Sequence, residues 1–347
     1  MPVTVVVGGQ FGSEGKGKVA HFVAREMDAS VAIRVGGPNS GHTVINPSGD
    51  RLILRQLPTA AILPNVTCSL GAGSYIIPEL LFQEITLTGI DKDRLFIDPH
   101  AVVITDEELR SERESSLRQN IGSTQSGTGA AVLRRISRGS GVVFAENDER
   151  LKPFVRSVTS FLRDQLTKNK RIILEGTQGF GLSLLHSSYY PVVTSRDTTA
   201  SGFLSEAGLS PFDVDDIVMV LRAFPIRVGG NSGHLPEEIS WDRVTAESGS
   251  KAKIVEHTSV SKSIRRVAHF TPEVVLDAIK LNRPSRVVLN HVDYVDVTCV
   301  DSDCLTEKAL RFVEQVEHAI GSKIDYVGCG PASMSRRFFV QRIPKSA

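Results

Sequence analysis

Gly8-Gly9-Gln10-Phe11-Gly12-Ser13-Glu14-Gly15-Lys16-Gly17-Lys18 is the stretch that decides how this chain is read. It follows an apolar β-branched run, residues 3–7, which reads as a buried strand. It precedes Val19, Phe22 and Val23, whose spacing sets three apolar side chains on one helical face. Strand, glycine loop and helix together cradle phosphate. Glycines let backbone N–H groups point inward, the helix N-terminus adds partial positive charge, and a lysine neutralises the outer phosphates. Lys16 is the candidate lysine, with Gly12, Gly15 and Gly17 around it. Two features depart from an ordinary P-loop: five residues separate Gly9 from Gly15, and Gly17 stands where a P-loop has the Ser or Thr that holds magnesium.

A second glycine-rich turn, Gly36-Gly37-Pro38-Asn39-Ser40-Gly41-His42-Thr43, again follows an apolar strand, residues 30–35. Loops at the carboxyl ends of neighbouring strands converge on one crevice in open α/β sheets. His42 beside a phosphate loop is therefore a candidate electrophile.

Composition bounds the rest. The chain has 347 residues, 41% of them hydrophobic, and 40 Lys and Arg against 39 Asp and Glu, a net charge of +1. Such balance excludes a nucleic-acid tail or a charged membrane surface, so phosphate binding has to be local. No apolar run approaches transmembrane length and no signal peptide precedes the first strand. Cys68, Cys299, Cys304 and Cys329 lack Cys-x-x-Cys spacing and read as reduced structural thiols. The expected location is cytoplasmic.

Further strands are predicted at residues 52–57, 67–70, 95–104, 141–145, 171–174, 216–224, 285–295 and 323–327. Helices are predicted at 78–87, 106–119, 148–168, 272–280 and 306–320. This alternation predicts an α/β fold: one large domain over 1–347 with loop insertions and a mostly parallel central sheet with helices on both faces, in a P-loop-like nucleotide-binding architecture.

The two glycine motifs together resemble the adenylosuccinate synthetase family, which joins aspartate to a purine nucleotide at the cost of a nucleoside triphosphate. The family has a catalytic, magnesium-binding aspartate where this chain has Ser13. A serine there is similar to the phage branch, which makes 2-aminoadenylosuccinate from dGMP. The resemblance runs from residue 3 to about residue 331 and implies the remaining roles. Ser123 and Thr124, in Gly122-Ser123-Thr124-Gln125, would bind the monophosphate, with Asn39, Ser13, Val228 and Gly229. Glu175-Gly176-Thr177-Gln178-Gly179 and Tyr190-Pro191-Val192-Val193-Thr194-Ser195 match family turns in which Gln178, Leu182 and Thr194 line the same site. Arg138, fourteen residues after Thr124, would reach the phosphate of a neighbouring subunit, which implies a homodimer.

The aspartate loop is the most altered. The family's Thr-Thr-Gly-Arg-Arg-Arg-Arg loop corresponds here to residues 257–270, with Ser259, Val260, Ser261 and Arg265 expected to hold L-aspartate. Paired arginines suit carboxylates because a guanidinium meets them as a bidentate fork. Ser263 replaces an arginine that meets the ribose 2′-hydroxyl in the family, which fits a deoxyribose substrate. In the triphosphate pocket, Gly12, Glu14, Gly15, Lys16, Gly17, Gly41, His42 and Thr43 would meet the phosphates. Asn290, Asp293, Gly328, Gly330 and Pro331 would meet the purine, with His291 in place of a family lysine. ATP or dATP is the expected donor, and Mg2+, near Gly41 and Ser13, the expected cofactor.

The implied reaction has two steps: the γ-phosphoryl moves to the purine six-oxygen, then the aspartate amine displaces phosphate. Ser13, Lys16, His42 and Gln178 are the expected catalytic residues. A serine hydroxyl cannot take the ring proton unaided near neutral pH, so Glu14 or the substrate aspartate is left as the base. Two alternatives stay open: an adenylosuccinate synthetase using inosinate and GTP, and a catalytically inactive nucleotide-binding protein. Neither nucleic acid nor membrane is an expected partner.

Overall fold

The computed structural model describes residues 2–139, 141–258, 262–300 and 304–336. Its centre is the strand that precedes the phosphate loop. β1 (Val3–Gly8) is buried along its whole length, Val3, Val5 and Val7 facing one core and Val6 the other. Burial on both faces is what a central strand of a parallel sheet requires. The other strands of the main sheet follow in chain order: β2 (Val31–Gly36), then β3 (His42–Ile45) and β4 (Arg51–Leu54) as a separate hairpin, β5 (Thr67–Ile76), β6 (Leu95–Ile97), β7 (Val102–Val103), β8 (Ile172–Glu175) and β9 (Val214–Arg222). β10 (Ile226–Arg227), β11 (Glu238–Ile239) and β12 (Arg266–Ala268) form a small three-stranded sheet, and β13 (Arg286–Asn290), β14 (Tyr326–Gly328) and β15 (Ser335–Arg336) rejoin the large one. The large sheet runs β15-β14-β13-β9-β1-β8-β2-β5-β6, parallel throughout except for β15.

Helices cover both faces. α1 (Lys16–Glu26) packs Val19, Ala20 and Val23 against Val6, Ala32 and Ile173. After α2 (Pro78–Thr88), α3 (Asp106–Glu114), α4 (Leu117–Ile121) and α5 (Thr128–Ile136), the opposite face is covered by α6 (Val158–Thr167) and α7 (Ala200–Ala207). α8 (Trp241–Ser248) supports the small sheet, while α9 (Glu273–Asn282) and α10 (Glu307–Ile320) complete the layer made by α6 and α7. The predicted single α/β domain, with a mostly parallel sheet between helices, is the observed one. Among the described residues no helix is long and apolar enough to cross a membrane.

Five predicted elements differ. The helix expected at 106–119 breaks at Ser115, which is extended, into α3 and α4. The helix expected at 148–168 is a short 3-10 turn at Lys152–Phe154, containing Pro153, followed by α6 with Ser157 as its cap. Leu151 and Phe154 belong to a different core cluster from Val158 and Leu162, so one apolar stripe in sequence serves two packing surfaces. The strand expected at 95–104 splits at Pro99 into β6 and β7. That expected at 141–145 contributes only an isolated bridge, Phe144 to Val102. The strand at 285–295 ends at Asn290, because His291 turns left-handed with φ 62°.

Candidate active site

The loops leaving the carboxyl ends of β1, β2, β8, β9 and β13 meet around Ser13. Gly12, Ser13 and Gly15 all have positive φ (89°, 57° and 90°), so the phosphate loop turns through backbone conformations that favour glycine. Ser13 is the exception, and a left-handed serine costs about 1–2 kcal/mol. Two arginines hold it there: Arg222 Nη1 donates to the Ser13 carbonyl at 3.0 Å, and Arg265 Nη1 donates to the Ser13 hydroxyl. Both arginines lean on Glu256, Arg222 through Nη2 at 2.5 Å and Arg265 at 3.8 Å. Burial pushes the Glu256 carboxyl up, but Arg222 and the surrounding cations outweigh it and hold the group well below the usual carboxylate range.

On one side of Ser13 lies a cavity of about 810 Å3. It gathers Ser13, Asn39, Ser123, Thr124, Gln178, Leu182, Thr194, Val228, Gly229 and Arg265, residues expected from sequence to bind the nucleotide monophosphate and aspartate, together with Ser263 and with Gly12 and Gly41, which were expected to meet the triphosphate. Four arginines, Arg113, Arg118, Arg227 and Arg265, line it against a single carboxylate among the described residues, Glu112. The excess positive charge suits an anionic ligand. Of the two neighbouring arginines in the loop expected to hold aspartate, only Arg265 lines this space. Arg266 is committed elsewhere: Nε donates to Glu238 at 2.8 Å and Nη1 to the Gly233 carbonyl at 2.6 Å. Ser259, Val260 and Ser261 lie outside the described residues.

On the other side lies the expected triphosphate pocket. Lys16 Nζ bonds Glu14 Oε2 at 2.6 Å, and Glu14 Oε1 accepts from the N–H groups of Gly12 at 2.8 Å and Gln10 at 3.1 Å. Glu14 is fully buried and both its oxygens are taken, so it is a brace for the loop rather than a base facing the cavity. Asn290 Nδ2 donates to the Glu14 carbonyl at 2.8 Å and would lie 2.7 Å from any β-carbon on Gly15. A β-carbon on Gly17 would meet the His42 and Thr59 side chains at 2.7 and 2.9 Å, which explains why no P-loop Ser or Thr stands there. Lys18 Nζ donates to the carbonyls of Gly330 at 3.1 Å and Ser333 at 3.3 Å. Burial brings its pKa down to about 8, opposed by Asp293. Asp293 Oδ1 and Asn290 Oδ1, both acceptors, are buried without a hydrogen-bond partner among the described residues. Pro331 stands exposed at the rim beside Gly330.

His42 opens β3, next to Thr43, and its Nδ1 lies 2.5 Å from Glu175 Oε1. Glu175 Oε2 accepts from the Thr59 backbone and hydroxyl, each at 2.8 Å, and Arg34 approaches Oε1 at 3.8 Å. Burial, then Arg34, bring the His42 pKa down to about 4. The imidazole is therefore neutral at pH 7, with its proton on Nδ1 toward Glu175, and Nε2 is a buried acceptor without a partner among the described residues. The sign of the linkage follows. An unfolded histidine binds a proton below about pH 6.5, and folded His42 does not until about pH 4. Native stability present above pH 6.5 is thus lost as pH falls toward 4, by ~3 kcal/mol at most from this group. Urea unfolding from pH 7 to 4 is expected to show that decline, and His42→Gln to remove it.

Arg138 is not part of the cavity. It lies exposed just beyond α5, on the same stretch as Leu133 and Ile136, each 65% exposed.

Several residues of the site were not assigned a role from sequence: Arg34, Thr59, Glu112, Arg222 and Glu256. Two had a visible signal. Arg34 and Arg222 interrupt runs of buried strand residues, and a charge there must be paired. Glu112 and Glu256 had none, since their partners lie in other segments.

The sequence profile of adenylosuccinate synthetases matches residues 5–144 and 142–300. The chain belongs to the adenylosuccinate synthetase family. The enzymes of Methanocaldococcus jannaschii and Thermococcus onnurineus are 34% and 35% identical to it, with 94–96% of each chain covered. In structure it is similar to cyanophage S-2L succinoaminodeoxyadenylate synthetase bound to dGMP and dATP as an energy donor. That match has 29% identity and a TM-score of 0.79, and covers 95% of this chain and 93% of the phage one. Fully ligated adenylosuccinate synthetase from Plasmodium falciparum has the same fold, with a TM-score of 0.84 at 20% identity, covering 97% and 100% of the two chains. The protein is thus a carbon–nitrogen ligase of this family.

Proposed function

We propose that the enzyme joins L-aspartate to carbon six of dGMP, with ATP or dATP as phosphoryl donor, giving succino-2-aminodeoxyadenylate, the nucleoside diphosphate and phosphate. The observation that carries this reading is Ser13. A small neutral side chain faces the cavity where the family has a carboxylate, and it leaves room beside the purine for guanine's two-amino group. The phage enzyme with dGMP and dATP bound supports it, as does Ser263 at the cavity wall.

In the first step the purine N1 proton leaves, the six-oxygen attacks the γ-phosphorus, and the bond to the diphosphate breaks. In the second the aspartate amine attacks carbon six and phosphate departs with the six-oxygen. Lys16 stabilises charge on the transferring phosphoryl group, where such sites gain most. Negative charge from the bound triphosphate raises the His42 pKa, so that Nε2 gains the proton it needs to donate to the reacting oxygens. Gln178 meets the purine six-oxygen, and Arg265 turns from Ser13 to the aspartate carboxylate. Glu14 is fully engaged, which leaves the bound aspartate to accept the ring proton. Asp293 Oδ1, buried without a hydrogen-bond partner among the described residues, would accept from the purine base of the triphosphate.

Magnesium fits the site only in part. No cluster of three His, Cys, Asp or Glu capable of holding a metal occurs among the described residues, and Ser13 and Gly41 offer neutral oxygens. Triphosphate oxygens and water would complete the shell, as is usual for this ion, and the metal would supply charge neutralisation of the phosphates.

The test is Ser13→Asp. The new carboxylate is expected to pair with Arg265 and crowd the two-amino group, lowering kcat/KM for dGMP by about tenfold or more, a cost of roughly 1.4 kcal/mol. Equal or better use of dGMP would remove the steric argument. The inosinate reading is favoured by the archaeal relatives, which are adenylosuccinate synthetases, and the same mutant would then gain activity on inosinate without ever having used dGMP. Exposed Leu133 and Ile136 beside Arg138 support a homodimer in which Arg138 reaches the neighbouring phosphate. Arg138→Ala is expected to raise KM for dGMP roughly tenfold, a charged hydrogen bond's worth; an unchanged KM would count against that contact.

A further inference from the structure

Helix α5 begins inside the loop proposed for the substrate's 5′-phosphate, and its first N–H groups are already taken. Its cap residue is Gly127, which has no side chain to offer. Glu112, on α3, fills the gap. Oε2 accepts from the Gly127 N–H at 2.8 Å, and Oε1 accepts from Gly129 at 2.6 Å and Ala130 at 3.2 Å. The side chain is 4% exposed, and it is the lone carboxylate among the described residues of the cavity wall. Backbone N–H groups at a helix start bind carboxylate and phosphate through the same charge-assisted bonds. Two anions at one set of donors repel each other strongly where water is scarce. A phosphate that uses these donors has to move the carboxylate aside.

We propose that Glu112 is an internal stand-in for the substrate phosphate: it caps α5 in the empty enzyme and yields those N–H groups to the 5′-phosphate of the bound nucleotide. Glu112 thereby sets both the affinity for the nucleotide and its dependence on the phosphate. The inference rests on the reading of this cavity as the monophosphate site. A phosphate dianion, with three acceptor oxygens, can displace a single carboxylate, and a nucleoside without phosphate cannot. The observed Kd is the intrinsic value divided by the fraction of enzyme whose loop is open. The loop stays tied to α3 meanwhile, since Gln125 Nε2 bonds the Glu112 backbone carbonyl at 3.2 Å.

Calorimetric titration of wild type, Glu112→Gln and Glu112→Ala with dGMP and with deoxyguanosine tests this. The expected result is a dGMP Kd lower by roughly fivefold in the variants, the size of one cap interaction, with the deoxyguanosine Kd unchanged. Both variants are expected to melt below wild type without ligand and to approach it at saturating dGMP, because the phosphate then supplies the cap. Should Glu112→Ala fold poorly, Glu112→Gln keeps one acceptor oxygen and still lacks the charge. A dGMP Kd unchanged or raised in the variants, with the melting deficit persisting at saturation, would make Glu112 a fixed cap and overturn the proposal. Equal binding of dGMP and deoxyguanosine by wild type would overturn it too, while leaving a nucleoside site in place. Wild type that binds neither would remove the site reading itself, and this proposal with it.

Discussion

Lys16→Ala is expected to lower kcat by about 10²–10³-fold, the cost of removing one preorganised donor from a site of developing charge. The lysine is 2% exposed and fixed at 2.6 Å from Glu14, so it needs little rearrangement when a triphosphate arrives. The same pairing creates a second effect. Removing Lys16 leaves Glu14 buried with only its two backbone donors, and breaking a buried pair costs about 3 kcal/mol of stability. The double variant Glu14→Gln/Lys16→Ala separates the two effects. It is expected to regain most of the lost stability in thermal denaturation and none of the lost turnover in single-turnover phosphate release. Recovery of turnover along with stability would make Lys16 a structural residue.

Arg265→Ala is expected to raise KM for aspartate by ~30- to 1,000-fold, the equivalent of about 2–4 kcal/mol for a charged contact in a partly buried site. Arg265 is a cavity residue whose outer nitrogen rests on a neutral serine hydroxyl, a contact it can exchange for a carboxylate at small cost. Arg266 provides the control. It is paired with Glu238 and the Gly233 carbonyl, so Arg266→Ala is expected to lower stability while changing KM for aspartate less than threefold, within the range of a surface pair. Initial-rate measurements with aspartate as the varied substrate check both. Equal increases in the two variants would dissolve the distinction between the arginines.

Local signals in the chain carry the sheet and the phosphate loop well. β1, β2, β8 and β13 are apolar runs ending in glycine or polar turns, and a parallel sheet buried on both faces leaves just such runs. Where prolines and two packing surfaces fall within one apolar stripe, as around Pro153, periodicity merges elements that the fold separates. The placement of the candidate residues was legible wherever they lie in a glycine motif: Ser13, Lys16, His42 and Gln178 sit at strand ends, and the sheet brings three of those ends together. Arg222 and Glu256 escaped because their meaning is each other. They are 34 residues apart and meet only beneath Ser13. Glu14 had invited a catalytic role by its place in the loop, and only its three hydrogen bonds show that it is a brace.

The account turns on Ser13 and the purine it admits. The most direct measurement is phosphate release with aspartate, ATP and magnesium, comparing dGMP, GMP and inosinate as acceptors. Turnover with dGMP and none with inosinate is the predicted result. Turnover with inosinate alone would contradict it and return the chain to ordinary adenylosuccinate synthesis, and silence with all three would leave a nucleotide-binding protein without the reaction.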